Sequence, residues 1–312
     1  MIGRSCRCAV VVGMLLMVAG GTGLAVPPPS TGAGIVAREG IGGRALGLGG
    51  AFSALADDTT AGYFDPAGLA MLSGIHLGGM YESKFAPGTS FQYLSATYNQ
   101  VQIGLGTGIT LVRRSDSGIP YEGGTFEASD SLWLLSLGYD LGRVLSVRAP
   151  SRLAVGMNLK VYSSVGLGER KATGAGLDFG ALFHGQFDSW VLSLGYVSLD
   201  TLGSTIRWQG TLADITETAP WIHRLAVAIE LQALHLTLAG DMELCFAEGD
   251  LNRLHLGGEY VLGGFALRAG LGGRTPSVGL GVEILNGISL DLAVVFHGAL
   301  GQSYVLSTEF SF

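Results

Sequence analysis

The stretch "RLAVGMNLKVYSS", residues 152–164, alternates between two kinds of side chain along its whole length. One face carries Leu153, Val155, Met157, Leu159 and Val161, and the other carries Arg152, Ala154, Gly156, Asn158, Lys160 and Tyr162. A period of two residues is the period of a β-strand. About ten residues with one apolar face and one face of polar residues and glycine are typical of a strand that crosses a membrane within a β-barrel.

The same pattern recurs along most of the chain, for example in "WIHRLAVAIELQ" (221–232), "ALHLTLAGDMELC" (233–245) and "GISLDLAVVFHG" (287–298). We count fourteen such segments, which start near residues 74, 90, 101, 130, 151, 174, 190, 220, 233, 251, 263, 276, 287 and 302. The gaps after even segments are mostly two or three residues, whereas those after odd segments, such as 113–129 and 202–219, are longer. The gap 141–150 is a longer exception. Short turns at one end and longer loops at the other are typical of outer-membrane barrels.

The composition supports a membrane location for these strands. The mean hydropathy is +0.42 and only 14% of residues are charged, yet beyond residue 25 no apolar run has the length of about 18 residues that a membrane helix needs. Only helices and closed barrels satisfy the backbone in lipid. The sequence therefore predicts an all-β fold, a 14-stranded antiparallel transmembrane barrel over residues 74–312. A secreted soluble β-protein is the alternative, but its apolar faces would form a very large patch in water.

Residues 1–25 have the features of a cleaved signal peptide. Arg4 and Arg7 precede an apolar run over residues 9–19, and Gly23 and Ala25 fit the small-x-small rule for cleavage after Ala25. Export and a barrel together predict the outer membrane of a Gram-negative type cell. The expected partners are outer-membrane lipid and the barrel-assembly machinery, since the C-terminal "SYVLSTEFSF" resembles the barrel insertion signal. No block of lysine and arginine gives an electrostatic basis for binding nucleic acid.

Residues 26–73 do not alternate and end in "DDTTAGYFDPAGLAMLSG", residues 57–74. Asp57, Asp58 and Thr59 offer oxygens that cap a helix, and Pro66 suits the first turn of another short helix. These features predict a compact, partly helical hatch, residues 26–73, inside the lumen. Inward glycines on strands three and six would leave room for its backbone.

The stretch "GGRALGLGGAFSALADDTTAGYFDPAGLAMLSG", residues 42–74, resembles the N-terminal hatch of the FadL/toluene-X superfamily of outer-membrane proteins. It is nearest the branch that contains the PorV/PorQ proteins, with Asp65-Pro66-Ala67 in place of their Asn-Pro-Ala triplet. The resemblance implies a channel for passive uptake of small hydrophobic molecules, such as fatty acids. It also implies an alternative: a PorV/PorQ-like component that transports nothing and binds proteins of a secretion system.

For the channel, the predicted site residues belong to the hatch and to one strand of the wall. The hatch and ligand residues are Phe64, Asp65, Pro66, Ala67 and Leu69, and the candidates for a kink in the wall are Gly104, Gly106 and Gly108. Inward charges such as Lys160, Asp178, Arg224 and Glu243 are mixed in sign, which favours cross-strand pairs over an ion-selective pore.

Signatures of other functions are weak. Residues 40–45 fit a loose G-x-G-x-x-A pattern, but no strand precedes them. Asp57, Asp58 and Asp65 lack the ligand order of an EF-hand, so we predict no metal site. The chain has no H-E-x-x-H and no G-x-S-x-G, and we predict neither catalytic residues nor a cofactor. A barrel esterase or protease with a lumenal Ser and His is the enzymatic alternative.

Overall fold

A computed structural model describes residues 34–84, 88–145, 150–210, 215–246, 252–285 and 287–312. The predicted signal peptide and the first residues of the predicted hatch, 26–33, lie outside the described residues. The strands are β1 Gly74–Ser83, β2 Thr89–Gln100, β3 Leu105–Tyr121, β4 Gly124–Asp140, β5 Arg152–Val165, β6 Lys171–Gln186, β7 Trp190–Leu199, β8 Ser204–Gln209, β9 Thr216–Ala219, β10 Ile222–Leu231, β11 Leu236–Cys245, β12 Arg253–Leu262, β13 Phe265–Gly272, β14 Thr275–Leu285, β15 Ile288–Phe296 and β16 Gln302–Ser311.

The helices are short. They are α1 Gly43–Gly47, α2 Ala61–Phe64 and α3 Gly142–Leu145, with 3-10 helices at Ile35–Ala37, Pro66–Ala70, Leu167–Glu169, Gln232–Leu234 and Gly298–Leu300. Within the described ranges, no helix has the length and apolar character needed to cross a membrane.

The strands form one closed antiparallel barrel. Closure occurs where β1 pairs with β16, from His76 opposite Ser311 to Ser83 opposite Tyr304. β8 continues β7 beside β6, and β9 leads into β10, so the sixteen strands occupy fourteen positions around the wall. The predicted 14-stranded antiparallel barrel is therefore confirmed.

The two faces of the wall are inverted relative to a water-soluble protein. On β5, Val155 and Leu159 are 37% and 43% exposed on the outer face, whereas Asn158 and Lys160 are 0% and 2% exposed on the inner face. Such an arrangement is stable only when lipid surrounds the outer face. The alternation in the sequence therefore separates a lipid-facing side from a lumenal side.

The barrel has two different ends. We call the end where β1 begins and β16 ends the base, and the opposite end the loop end. At the loop end, β3 and β4 continue as a hairpin, with Ile119 opposite Phe126 and Tyr121 opposite Gly124. The predicted loops 113–129 and 202–219 are thus wrong in part, because these segments contain paired strands without a regular apolar face. The third strand begins at Leu105, after a turn, instead of near residue 101.

Residues 34–73, which we call the N-terminal segment, lie against the inner face of the wall. Ile41, Phe52 and Leu48 are 0% exposed, and they share one apolar cluster with inward residues of several strands. The cluster's wall members are Met80, Phe91, Tyr93, Val112, Leu132, Leu134, Tyr162, Ala172, Ile206, Ala293 and Val305. The interior of the barrel is therefore filled by the chain's own N-terminal residues.

Candidate functional site

A row of four glycines crosses β3 to β6 near the base. The register places Gly106 opposite Gly138, Gly138 opposite Gly156, and Gly156 opposite Gly180. A Cβ atom on Gly106 would lie 2.2 Å from the Leu69 oxygen, and one on Gly138 would lie 2.7 Å from the Pro66 oxygen. A Cβ atom on Gly156 would lie 2.3 Å from the Ala67 nitrogen, and one on Gly180 would lie 2.0 Å from Asp65 Oδ1. Real Cβ atoms do not approach other atoms so closely. The glycine row thus lets the backbone of residues 65–69 lie directly on the wall.

Asp65 and Pro66 define the shape of this contact. Asp65 is the N-cap of the 3-10 helix Pro66–Ala70, and its Oδ1 accepts a hydrogen bond of 2.9 Å from the Ala67 amide. Pro66 takes the first helical position, where an N–H has no partner within the helix. Asp65 is fully buried, and burial raises the pKa of its carboxyl well above the usual range, although the Ala67 amide opposes this.

Wall side chains bind the carbonyl groups of the N-terminal segment. Asn99 Nδ2 donates to the Leu69 oxygen at 2.8 Å, and Asn158 Nδ2 donates to the Gly62 oxygen at 2.7 Å. Buried backbone carbonyls need such partners. The Arg152 guanidinium on β5 also donates to the Met71 oxygen at 3.2 Å and to the Ala70 oxygen, so amides and one cation bind carbonyl groups of the segment on this side of the barrel.

The three predicted capping residues have different roles. Asp58 Oδ1 accepts from the Thr60 amide at 2.8 Å, just before α2, but Asp57 forms an ion pair of 2.7 Å with Arg44. The Thr59 hydroxyl lies 2.5 Å from the Tyr93 hydroxyl on the wall. Asp57 and Thr59 thus make tertiary contacts instead of capping a helix, because the N-cap of α2 is Thr60.

Phe64, the remaining hatch residue of the prediction, is 1% exposed. Its ring lies edge-on to Phe52 and to Tyr63, with 5.3 Å between ring centroids in both pairs. It belongs to the packed interior of the segment, beside the aromatic residues that stabilise its fold.

The opposite side of the wall holds the segment with charged groups. Arg44 Nε lies 3.1 Å from Glu259, which also contacts Arg268 Nε at 2.6 Å. Arg268 in turn pairs with Asp291 at 2.5 Å. We call these four residues the ionic cradle. It joins α1 to strands β12, β13 and β15, and it confirms the expectation that inward charges of mixed sign form pairs.

Two further contacts strengthen this side. Asp241 Oδ2 accepts from the Ser53 amide at 3.0 Å, and Ser307 accepts from the Gly43 amide at 2.9 Å. A Cβ on Gly270 would lie 2.1 Å from the Gly49 nitrogen. Glycine therefore permits close backbone contact on this side too, but here charges accompany it.

A cavity of about 290 Å³ opens at the base beside the ionic cradle. Its charged lining is Arg44, Asp57, Asp58, Glu259, Arg268, Glu283, Asp291 and Glu309. Burial raises the pKa of the Asp58 carboxyl to about 7, with the nearby Glu309 adding to the effect and Arg44 opposing it. Within the described ranges, no group of three or more His, Cys, Asp or Glu residues is placed to hold a metal ion. A space lined by these charges is a poor environment for an apolar molecule.

The lumen has an apolar band above the base, and beyond this band, towards the loop end, Glu39, Glu82, Lys84, Arg114 and Asp116 form ion pairs. The register aligns one row of inward residues across six strands: Met80, Tyr93, Val112, Leu132, Tyr162 and, beyond Gly174, Ile206. We call this set the apolar row. Val36 and Ala37, from the start of the N-terminal segment, belong to the same buried cluster. This surface was not predicted from the sequence. The pattern that indicates it is the apolar residues at inward positions of faces that are otherwise polar.

The predicted wall kink is not found at Gly104, Gly106 and Gly108. Gly104 has φ of +69° in the turn before β3, and β3 then pairs with β2 and β4 without a register shift up to Asp116. Gly106 and Gly108 instead make room for Leu69. The wall is interrupted elsewhere, between β7 and β8, where Asp200 and Leu202 have φ of 48° and 68°.

Comparison with known proteins links this barrel to hydrocarbon channels. No protein-family description and no curated protein matches the sequence. Among solved structures, the chain is similar to the Pseudomonas putida toluene transporter TodX, with 13% identity over 81% of this chain and 93% of that one and a TM-score of 0.54. It is also similar to a Pseudomonas aeruginosa FadL homologue, with 13% identity over 87% and 98% of the two chains and a TM-score of 0.52.

At this level of identity the likeness concerns the fold. The chain therefore has the fold of an outer-membrane β-barrel of the FadL type. One of these structures is described as a toluene transporter and the other as a FadL homologue.

Proposed function

We propose that the protein is an outer-membrane channel through which small hydrophobic molecules, such as fatty acids or other apolar compounds, diffuse passively. The observation that carries the proposal is the apolar row, a continuous apolar surface across six strands of the lumen between the charged base cavity and the ion pairs nearer the loop end. The named function of the similar barrels, which include a toluene transporter, agrees with it.

In this proposal the N-terminal segment acts as the hatch. It fills the lumen, because Ile41, Ala45 and Phe52 are 0% exposed, so an apolar solute can reach the apolar row only if part of the segment moves. Val36 and Ala37 contribute apolar side chains to the cluster that the solute would join. A bound solute would replace these contacts with its own, and burial of its apolar surface would drive binding.

The test is uptake of a fluorescent medium-chain fatty acid into lipid vesicles that contain the purified protein. We expect faster uptake than into empty vesicles, and a severalfold loss of rate for Leu132→Asn, which places an amide in the apolar row. Ile119→Asn, on the hairpin at the loop end, is the matched control and should keep the wild-type rate. Equal uptake with wild-type protein and with empty vesicles would refute the proposal.

A second candidate, a PorV/PorQ-like component of a secretion system, is favoured by the hairpin of β3 and β4. Beyond Asp116, which pairs with Thr89, the strands pair only with each other, so the hairpin rises above the neighbouring strands. Its free edges and the Tyr121 and Phe126 rings, which lie edge-to-face with 6.0 Å between centroids, form a surface for another protein. Co-purification of a secretion protein, lost when residues 118–127 are replaced by a short turn, would support this role.

A further inference from the structure

A band of apolar side chains covers the outer face of β5 and β6 and ends towards the loop end. The outward residues are all apolar over 153–161 on β5 and over 175–183 on β6. Each run has about the length that a tilted strand needs to cross a bilayer. The next outward residues on the loop-end side, Ser163 and Thr173, are polar and exposed. The edge of the membrane therefore lies at these two positions.

Beyond this edge, hydroxyl groups and two cations form a continuous outward surface on β5, β6, β8 and β9. The register places Arg207 between Thr173 and Thr216. Lys171 lies two residues from Thr173 on the same face of β6, diagonal to Arg207. We call this surface the basic rim, and its members, all exposed, are Ser163, Lys171, Thr173, Thr205, Arg207 and Thr216.

The two cations of the basic rim differ from the cations inside the barrel. Lys160, Arg224 and Arg268 each pair with a carboxylate in the lumen, whereas Lys171 and Arg207 form no ion pair with any residue that the structure describes. Diagonal neighbours on two paired strands have Cβ atoms about 7–8 Å apart. The two like charges repel each other, and an anion bound between them would offset that repulsion. Phosphate is such an anion, and the guanidinium of arginine can bind it through two parallel hydrogen bonds.

The position of the basic rim indicates which kind of anion binds there. Thr205 lies opposite Ala175, the last residue of the apolar band, so the rim and the lipid-facing surface are continuous. An amphiphile whose phosphate contacts Arg207 can place its alkyl chains on Ala175, Leu177 and Val161, which all face lipid. A soluble anion would gain nothing from the apolar band. The hydroxyl groups of the rim both donate and accept hydrogen bonds, as the hydroxyl groups of a sugar do.

We propose that the basic rim is a binding site for a lipid of the outer leaflet whose head group is a phosphorylated sugar. Arg207 and Lys171 bind the phosphate, the hydroxyl groups of the rim bind the sugar, and the acyl chains follow the apolar band. The longer loops of outer-membrane barrels face the outside of the cell, which assigns this end of the wall to the outer leaflet. The site lies on the outside of the barrel, so it is independent of the proposed transport function.

The first test measures lipid binding to the purified protein in detergent by native mass spectrometry. The probes are lipid A with both of its phosphates and lipid A from which the phosphates have been removed. We expect the phosphorylated lipid to bind about tenfold more tightly, because each cation near an anionic head group adds to the affinity. Excess inorganic phosphate should not displace it. Equal binding of the two lipids would overturn the proposal, and so would displacement by inorganic phosphate, which would assign the rim to a soluble anion.

The second test locates the site on the wall. Arg207→Gln and Lys171→Gln should each weaken binding of phosphorylated lipid A by about fivefold, and the double variant should weaken it further. Arg113→Gln, an equally exposed position on β3, is the control and should bind like the wild type. An equal loss in Arg113→Gln would show that charge anywhere on the surface attracts the lipid, and it would overturn the site.

Uptake of the fluorescent fatty acid distinguishes this site from the transport function. It should proceed at the wild-type rate in the Arg207→Gln and Lys171→Gln variants, because both side chains lie outside the lumen. This rate also serves as the control for folding, since a misfolded barrel would change uptake together with lipid binding. Loss of lipid A binding together with loss of uptake would therefore overturn the assignment of the two cations to a lipid site.

Discussion

The two sides of the barrel hold the N-terminal segment by different means. On β2 to β6, the backbone of residues 65–69 lies on a glycine row, and Asn99, Asn158 and Arg152 bind carbonyl groups of the segment. On β12 to β15, Arg44 enters the ionic cradle. Close backbone packing and hydrogen bonds to carbonyl groups fix the first contact. At the second contact, the cost of removing the charges from water cancels part of the attraction between them, and the contact borders a cavity open to solvent.

This difference indicates which part of the segment moves. The backbone lies directly on the wall at both contacts, but the contact at α1 also depends on ion pairs, which hydration can separate. We therefore expect residues 65–69 to anchor the segment and residues near Arg44 to release first. Each of the following substitutions weakens the contacts on one side of the barrel.

The largest effect is expected for Gly156→Ala. The added Cβ would lie 2.3 Å from the Ala67 nitrogen, so the segment has to leave the wall at its anchor. We expect a loss of about 3 kcal/mol in the free energy of unfolding, as for an overpacked core, measured by urea unfolding in lipid vesicles. Gly240→Ala is the control, because its Cβ would lie at ordinary contact distances, 3.4 Å from Leu256 Cδ2 and 3.7 Å from the His255 oxygen. Equal stability of the two variants would show that the glycine row is no anchor.

Arg44→Gln tests the ionic side. Glu259 keeps Arg268 as a partner, so we expect a smaller loss of about 1–2 kcal/mol, and it should shrink at high salt. Limited proteolysis should cut near residues 44–58 while residues 65–69 stay protected. Arg113→Gln, at an exposed position on β3, should behave like the wild type. Cleavage at residues 65–69 first would reverse the assignment of anchor and release.

Asp65→Ala separates the capping role of Asp65 from its charge. Loss of the bond to the Ala67 amide should cost about 1 kcal/mol. Asp65→Asn keeps an oxygen at this position, and because burial raises the pKa of the native carboxyl, the neutral amide should be tolerated at neutral pH. Unfolding measured side by side should rank wild type and Asn above Ala, and an Asn variant as unstable as Ala would argue that the charge is required.

The smallest expected effect is a dependence of stability on pH through Asp58. The pKa of the Asp58 carboxyl is about 7 in the folded chain and 3.8 for an ordinary aspartate, as in the unfolded chain. The folded state therefore binds the proton of this carboxyl more tightly. Its contribution to stability is complete below pH 4 and is lost as the pH rises through about 7. Protease should therefore reach the segment faster at pH 8 than at pH 5.5, and Asp58→Asn should weaken that dependence. A pH dependence that Asp58→Asn leaves unchanged would assign it to another group.

Alternation of side chains was sufficient to predict the barrel, because lipid on one face and a filled lumen on the other impose a period of two. Alternation failed to predict the hairpin of β3 and β4, which pairs through a register shift between Asp116 and Ile119 and lacks one apolar face. The break between β7 and β8 could not be predicted either, because Asp200 and Leu202 adopt positive φ there although neither is glycine.

The site was harder to predict than the fold. Asp65 and Pro66 predicted a capped helix, because capping depends on neighbouring residues. The glycine row, in contrast, forms only when four strands are placed in register. Arg44 and Glu259 are 215 residues apart, and nothing in the sequence pairs them. Contacts between a plug and its wall depend on register around the whole barrel, which local patterns do not contain.

The most direct test of the transport function is a crystal structure of the protein with a medium-chain fatty acid. We expect an alkyl chain against Val112, Leu132 and Tyr162, in the place that Val36 now fills, with residues 65–69 still on the glycine row. An alkyl chain found only on the lipid-facing surface, with Val36 undisplaced, would contradict it.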